Sequence, residues 1–435
     1  MKKKVKQVFN NEDYKEILKK GFSFLVLRIV GLFLGYLFTF LIAREYGANV
    51  VGLVSLSFTL IMCISIFGRL GIDVNLIRFF SNESHKNDSG LFLRMTIKSF
   101  LFSLLLACVL FLFKEEISIG IFKKPQLEPY IFWSALTIPC WTITLVCAGL
   151  FRALKKNTLF AFFNNPGRFL MTLLAFMLLI YVFKDEDLAA IKAHFYGVFI
   201  LSIISLFSAF KQFDTIKTHS DFNTWKFLKE AFPMMLSGVV IVFLGWTDTF
   251  VLGIYETDEA IGVYNVALKI ATLTSFSLQA INSILAPKVT KYYRESEENK
   301  MKKIIRFGTN TNFFITLLVV LLIMIFHKFL LKFFGLEFLQ GATVLLILCT
   351  GQLVSSLSGS VGLILQMIGY QKIYRNIVFV ALMINIALNF ILTPRFGVEG
   401  AALATFISMA FWNIYGAIYL KRKVNLTTYF SLKKL

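Results

Sequence analysis

Residues 21–43 read GFSFLVLRIVGLFLGYLFTFLIA. As a helix rising 1.5 Å per residue, this stretch is about 34 Å long, enough to cross about 30 Å of hydrocarbon. It holds one charge, Arg28. Eleven further stretches read the same way: 50–70, 94–113, 129–151, 163–183, 190–210, 231–254, 262–286, 305–330, 341–368, 374–393 and 398–420. None shows the alternating polarity of a membrane β-strand. The fold class expected is therefore an all-α polytopic membrane protein with about 12 transmembrane helices. Composition agrees. Of 435 residues 57% are hydrophobic and 16% charged, against about a quarter charged in soluble domains. A mean hydropathy of +0.72 excludes an ordinary soluble enzyme and a disordered chain.

The net charge is +20, from 45 Lys+Arg against 25 Asp+Glu. With the N-terminus placed in the cytoplasm, 34 of the 45 fall on cytoplasmic segments and 9 on outside loops. Arg168 is counted with Arg152, Lys155 and Lys156 on the inner loop after span 4, and Arg28 and Lys269 lie within helices. This asymmetry places both termini inside and explains the basic balance without nucleic acid. The organisation expected is an amphipathic cytoplasmic arm over 1–20, an N-lobe over 21–210, a linker over 211–230, a C-lobe over 231–420 and a basic tail over 421–435. The arm, with Val5, Phe9, Tyr14, Ile17 and Leu18 among lysines, is expected on the inner membrane surface. Its polarity argues against a signal peptide.

The chain reads as doubled. Phe33-Leu34-Gly35-Tyr36, Thr39-Phe40 and Gly52 recur at an offset of 210 as Phe243-Leu244-Gly245-Trp246, Thr249-Phe250 and Gly262. Coincidence among apolar residues is the plain alternative. An offset of six helices keeps both copies in one orientation, which implies two parallel six-helix lobes related by an axis along the membrane normal.

Ionisable residues within spans are costly and mark pathways or paired sites. Arg28 lies about 10 Å into span 1, beside the small-residue pair Gly31 and Gly35. It faces another helix or a cavity, or else snorkels to the headgroups. Asp248 and Lys269 lie at similar depth on spans 7 and 8, which suggests an ion pair, either structural or acting as an outer gate. Polar residues recur at helical spacing: Asn265, Lys269, Thr272 and Gln279 on span 8, and Gln352, Ser355, Ser356, Gly359, Gly362 and Gln366 on span 10. Asn385 and Asn389 lie one turn apart on span 11, as do Thr137 and Trp141 beside Pro139 on span 4. Singly, such residues serve interhelical hydrogen bonds. Four striped helices together suit a wet central cavity.

No P-loop, GxSxG elbow or zinc spacing is present, so an enzyme is not expected. Asp185-Glu186-Asp187 reads as a solvated acidic turn, and the Asn82-Glu83-Ser84 sequon lies on the expected inner face. Cys63, Cys108, Cys140, Cys147 and Cys349 all lie in apolar runs and read as buried free thiols. His85, His194, His219 and His327 are scattered, with no metal motif.

The stretch from Leu41-Ile42-Ala43-Arg44-Glu45-Tyr46-Gly47 through Val51-Gly52-Leu53, then Phe67-Gly68-Arg69-Leu70-Gly71-Ile72 and Arg78, resembles the opening of polysaccharide flippases of the multidrug/oligosaccharidyl-lipid/polysaccharide exporter superfamily. Asp248 followed by Gly262-Val263-Tyr264-Asn265-Val266-Ala267, Pro287-Lys288, and Thr393-Pro394-Arg395-Phe396-Gly397-Val398-Glu399-Gly400-Ala401-Ala402 continue the resemblance over nearly the whole chain.

It implies two lobes around a V-shaped cavity, alternating access, and a cargo of undecaprenyl-pyrophosphate-linked oligosaccharide moved from the inner to the outer leaflet. The setting implied is an O-antigen or capsule pathway in a bacterial or archaeal cytoplasmic membrane. The partners implied are the lipid-linked oligosaccharide, membrane lipids and glycan polymerase machinery. Lipid II flippases of the superfamily carry cavity cations on spans 1 and 8, where Arg28 and Lys269 fall here, but usually have two further helices. The drug-extrusion branch usually has an acid in span 1, which this chain lacks. The alternative kept open is a MATE-type exporter of drugs or cations coupled to H+ or Na+. No cofactor is expected beyond such a coupling ion. The substrate residues expected are Arg28, Asp248, Lys269, Trp246, Asn265, Thr272, Gln279, Gln352, Gln366, Asn385 and Asn389.

Overall fold

The structure is a computed structural model that describes residues 12–80, 87–185 and 188–431. Most of the arm, the Asn82-Glu83-Ser84 sequon, Glu186 and Asp187, and the end of the tail lie outside the described residues. Among the described residues, nine helices are long and apolar enough to cross a membrane. A tenth span forms from Asp258–Thr272 and Ser275–Arg294, which meet at a 44° bend.

Two of these helices are double length. Helix α1 (Glu12–Gly68) breaks at Gly47, whose φ of 76° and ψ of −176° are non-helical. Its apolar stretch Val26–Gly68 is 43 residues, about 65 Å of helix or twice the hydrocarbon thickness. The last helix, Gln371–Val424, has 54 residues and breaks at Gly397, with φ 57° and ψ −137°. Divided at these corners, the ten become twelve, and the corners fall where the sequence separates spans 1 from 2 and 11 from 12. Positive φ is the backbone region that glycine enters without steric cost.

The other helices are α2 (Ile72–Phe80), α3 (Ser89–Leu112), α4 (Glu128–Ala153), α5 (Asn157–Asn164), α6 (Pro166–Met177), α7 (Ala189–Phe210), α8 (Thr224–Tyr255), α9 (Asp258–Thr272), α10 (Ser275–Arg294), α11 (Glu298–Phe334), α12 (Ala342–Ser358), α13 (Val361–Met367) and α14, the last helix above. Three expected spans are broken. Span 5 divides at Asn165, because Pro166 has no N–H to donate and biases the residue before it away from helix. Span 8 bends between α9 and α10. Span 10 stops at Gly359, whose φ is +78°. The polar stripe from Gln352 to Gln366 is therefore shared between α12 and α13 and is not one helix face.

The chain forms two compact units, Met1–Leu41 with Ser57–Val239, and Ile42–Leu56 with Val240–Leu435. The first is cored by aromatic rings: Phe38 packs on Phe58 at 6.3 Å and edge-on to Phe176 at 5.9 Å between centroids. Its non-helical segment before Thr224 is strapped to the start of α3. The Ser220 hydroxyl donates to Asp88 at 2.6 Å, the Lys217 N–H donates to Ser89 Oγ, and that hydroxyl donates to the Thr215 carbonyl, both at 2.8 Å. Helix α8 begins at Thr224, within the expected 211–230 linker.

In the second unit, residues 42–56 pack against α9. Its C-terminal segment docks on α11: the Thr309 hydroxyl donates to the Thr428 carbonyl at 2.7 Å, and Phe430 lies 4.4 Å from Phe313 between ring centroids. Leu112, Phe207, Ile325 and Phe329 are exposed apolar side chains, the surface that hydrocarbon accepts and water would not. Cys108 belongs to such a surface and is exposed rather than buried, whereas Cys147 and Cys349 are buried.

Candidate functional site

Each unit buries a polar cluster around an ionisable side chain. In the second unit it centres on Asp248, 7% exposed, on α8. The Tyr264 hydroxyl on α9 donates to Oδ2 at 2.6 Å. From α14, Asn389 Nδ2 donates to Oδ1 at 2.8 Å, Asn385 Nδ2 donates to Oδ1 at 3.3 Å, and the Thr405 hydroxyl donates to Oδ2. Four donors on two oxygens complement an ionised carboxylate, which only accepts. All four are neutral. Lys269 is not among them, so the expected Asp248–Lys269 ion pair does not form. Equal depth gave the height of the two residues but not the helix faces that carry them.

The cluster also gathers Asn385 and Asn389, which the sequence had marked as a stripe. Both are fully buried, and their Oδ1 atoms have no donor among the described residues. Asn265, next in sequence to Tyr264, is buried; its Oδ1 accepts from the Thr249 hydroxyl at 3.3 Å and its Nδ2 donates to the Ile261 carbonyl at 2.9 Å. Lys269, Thr272, Gln279, Gln352, Gln366 and Trp246 are half-buried. Gln279 donates to Ser275 at 3.1 Å, and Gln366 to the Gly362 carbonyl at 3.0 Å.

In the first unit, Arg28 is exposed along span 1. One turn further, Gly31 lies against the Asn165-Pro166 break and Gly35 against Phe169; a Cβ on Gly31 would come within 2.8 Å of Pro166 N. The span is thereby seated on the start of α6 while its cation stays uncovered.

The cluster missed in the sequence is Arg168 with His194. Arg168 is buried on α6, 7% exposed, and not on an inner loop. Its Nε donates to His194 Nε2 on α7 at 2.8 Å. The guanidinium carbon lies 4.5, 4.9 and 5.2 Å from the ring centroids of Phe58, Phe169 and Trp141. The available signal was two titratable residues, each a few positions inside neighbouring spans 5 and 6. The basic loop just before Arg168 masks the first, and the second belongs to no metal motif.

The geometry is that of a polytopic helical protein with buried polar centres and no hydrolytic constellation among the described residues. Residues 17–293 match the polysaccharide biosynthesis protein family, and residues 233–391 match MatE. The chain belongs to the polysaccharide biosynthesis protein family, within the multidrug/oligosaccharidyl-lipid/polysaccharide exporter superfamily. It is a multi-pass membrane protein. It is similar to the probable low-salt glycan biosynthesis flippase Agl15 of Haloferax volcanii, 26% identical over 198 residues, 45% of this chain and 42% of that protein. The chain thus spans about two fifths of that relative's length. Its fold is that of the lipid II flippase MurJ in an inward closed conformation, at TM-score 0.75 and 16% identity, covering 93% of this chain and 87% of that one. An inward-facing multidrug resistance MATE family transporter shares the fold at TM-score 0.75 and 15% identity, covering 92% and 98%.

Proposed function

We propose that the protein is a flippase of glycan biosynthesis that carries a lipid-linked oligosaccharide across the membrane by alternating access. In its finer form, the cargo is an undecaprenyl-pyrophosphate-linked repeat unit, moved from the inner to the outer leaflet of a bacterial or archaeal cytoplasmic membrane and delivered to glycan polymerase machinery. O-antigen-type or capsule-type assembly is the setting this reading favours. Both termini face the cytoplasm, and the two halves act as the moving lobes.

The observation that carries this reading is Arg28, an exposed guanidinium on an otherwise apolar span whose next turn is seated on the start of α6. A cation held there is costly unless it meets an anion. A guanidinium grips phosphate oxygens bidentately. Lys269 offers a second cation, and Trp246 and the half-buried glutamines offer surfaces for sugars. The test is transport of a lipid-linked oligosaccharide in proteoliposomes, with sidedness read by an impermeant reagent. Arg28→Ala should abolish transport at normal insertion, and Arg28→Lys should restore part of it. Full transport by Arg28→Ala would reject the role.

Asp248 supports a second reading, cation coupling. A buried carboxylate beside two amide oxygens without donors is an oxygen-rich environment suited to H+ or Na+. If coupling resides there, Asp248→Asn should transport without response to a sodium or pH gradient. If the protein is instead a MATE-type exporter, cationic drugs and not glycan lipids should be its cargo in the same assay.

A further inference from the structure

We infer that the first unit contains a closed binding site for a small monovalent anion of the halide class, centred on Arg168, Trp141 and His194. The inference is independent of the cargo.

A buried guanidinium is ordinarily paired with a carboxylate, because an isolated charge in a low-dielectric interior is costly. Among the described residues, Arg168 has no such partner. Its contacts are the His194 nitrogen, the Met62 sulfur at 3.9 Å from Nη1, and three aromatic faces. Ring faces attract a cation but accept no conventional hydrogen bond from its edge. Nη2 has no acceptor, and neither does Trp141 Nε1, although the indole is only 4% exposed and packs on the guanidinium.

His194 supplies no charge to offset this. Its Nε2 accepts from Arg168, so its proton sits on Nδ1, and the ring is neutral. That Nδ1 also lacks a partner. Protonating the ring would place a second cation beside the first. Thr172, one turn beyond Arg168 on α6, is fully buried with an unpartnered hydroxyl. The positive end of the α6 dipole lies at Pro166, two residues away. The full charges and the helix dipole are therefore all positive, opposed only by the ring faces, and the unfilled groups are mostly donors.

Charge and access select the ligand. The site carries one uncompensated positive charge, which one monovalent anion neutralises. A pyrophosphate would leave excess negative charge in the same apolar enclosure. A halide accepts from several directions at once and demands no fixed geometry from an N–H of arginine and an N–H of indole. The enclosing rings of Phe58, Phe169 and Trp141 exclude a bulky lipid headgroup from Arg168.

The test is thermal unfolding of the full-length protein in detergent micelles, titrated with sodium chloride or bromide against sodium gluconate at matched ionic strength. A ligand that binds the folded state raises Tm with the logarithm of its concentration. Wild type should show this rise with halide and not with gluconate. Arg168→Gln should lose it. Trp141→Phe keeps an aromatic face but removes the N–H donor, and should weaken apparent halide affinity about tenfold, the usual effect of one hydrogen bond to a charged group. Equal Tm in halide and gluconate for wild type would overturn the site. So would a wild-type halide response in Arg168→Gln or, should that variant not fold, in Trp141→Phe. Stabilisation by pyrophosphate in preference to halide that persists in Arg28→Ala and is lost in Arg168→Gln would overturn the monovalent assignment.

Discussion

Gly52 and Gly262 each lie against the other's helix backbone. A Cβ on Gly52 would fall 1.9 Å from the Asp258 carbonyl oxygen and 3.2 Å from Gly262 N. One on Gly262 would fall 2.1 Å from the Ala48 carbonyl oxygen and 3.1 Å from Gly52 N. Ala48 and Asp258 are separated by the same 210 residues as the two glycines. The contact is therefore reciprocal: each copy of the repeat offers the other the same glycine and the same carbonyl, as self-complementary contacts between equivalent elements do. The repeat first noticed as a string of identities is thus expressed as one close helix crossing, of the kind small residues permit.

This crossing should not tolerate a methyl group. In Gly52→Ala or Gly262→Ala the obstruction is backbone, which no rotamer change relieves, so the helices must separate. Overpacking of this kind costs about 1–3 kcal/mol or more. We expect either variant to lose Tm and monodispersity in detergent. Gly245→Ala is the control: it is a repeat glycine with nothing within 4 Å of its Cβ position, and a helical Gly→Ala change there should be neutral or stabilising by about 0.5–1 kcal/mol. Equal behaviour of all three would remove the crossing's importance.

The spans were legible because hydrocarbon imposes a length and forbids unpaired backbone, and both demands are written in composition. The corners at Gly47 and Gly397 were legible as gaps between apolar runs. What hydropathy carries is depth; it does not carry azimuth. Asp248 and Lys269 share a depth, yet the carboxylate turns to Tyr264 and α14. The stripe on span 10 failed for another reason: Ser358-Gly359-Ser360 is a breaker signal, and periodicity alone read through it. Arg168 was hidden because charge counting assigns a residue near a span's end to the loop, and only Pro166 marks where the helix restarts.

The Asp248 cluster yields a graded series. Tyr264→Phe removes one donor from a carboxylate that keeps three, and should cost about 1.5–3 kcal/mol, the range for a hydrogen bond to a charged group. Asp248→Asn turns an acceptor-only group into one that must also donate, into a ring of donors, and should cost more. Asp248→Asn combined with Tyr264→Phe should cost less than the two single changes added, because the partners share one interaction. Thermal unfolding of the three variants measures this, and strict additivity would show that the residues do not act together.

Glu337 closes the Gly47 corner. Its Oε1 accepts from the Ala48 N–H at 2.5 Å, where the helix restarts with unpaired donors. A carboxylate at a helix start satisfies a donor and complements the dipole. Glu337→Ala should cost about 1 kcal/mol, near the middle of the range for lost caps, and should speed hydrogen exchange at Ala48 and its neighbours. Glu337→Gln, which keeps an acceptor, should lie between. Unchanged exchange at Ala48 in Glu337→Ala would mean the cap contributes nothing to the corner.

The final prediction concerns residues 425–431, which form a strap and not a free tail. The Phe430 N–H donates to the Leu357 carbonyl at 2.8 Å, and Asn310 Nδ2 and Arg306 Nη2 donate to the Ser431 carbonyl at 3.0 and 3.2 Å. Gly359 ends α12 under this strap, and its missing Cβ leaves room for the Thr428 carbonyl, which would otherwise lie 2.4 Å away. The strap therefore bridges α11 to the break between α12 and α13. Phe430→Ala removes a half-buried ring from Phe313 and should cost about 2 kcal/mol by loss of apolar burial. Truncation after Val424 should cost more and raise hydrogen exchange at Gly359 through Val361, while α3 in the other unit stays protected. Gly359→Ala should do the same with the strap present, because a methyl group displaces Thr428 and the residue must hold φ at +78°. If truncation leaves exchange at the break unchanged, the strap is a passenger and α12 ends there on the strength of Gly359 alone.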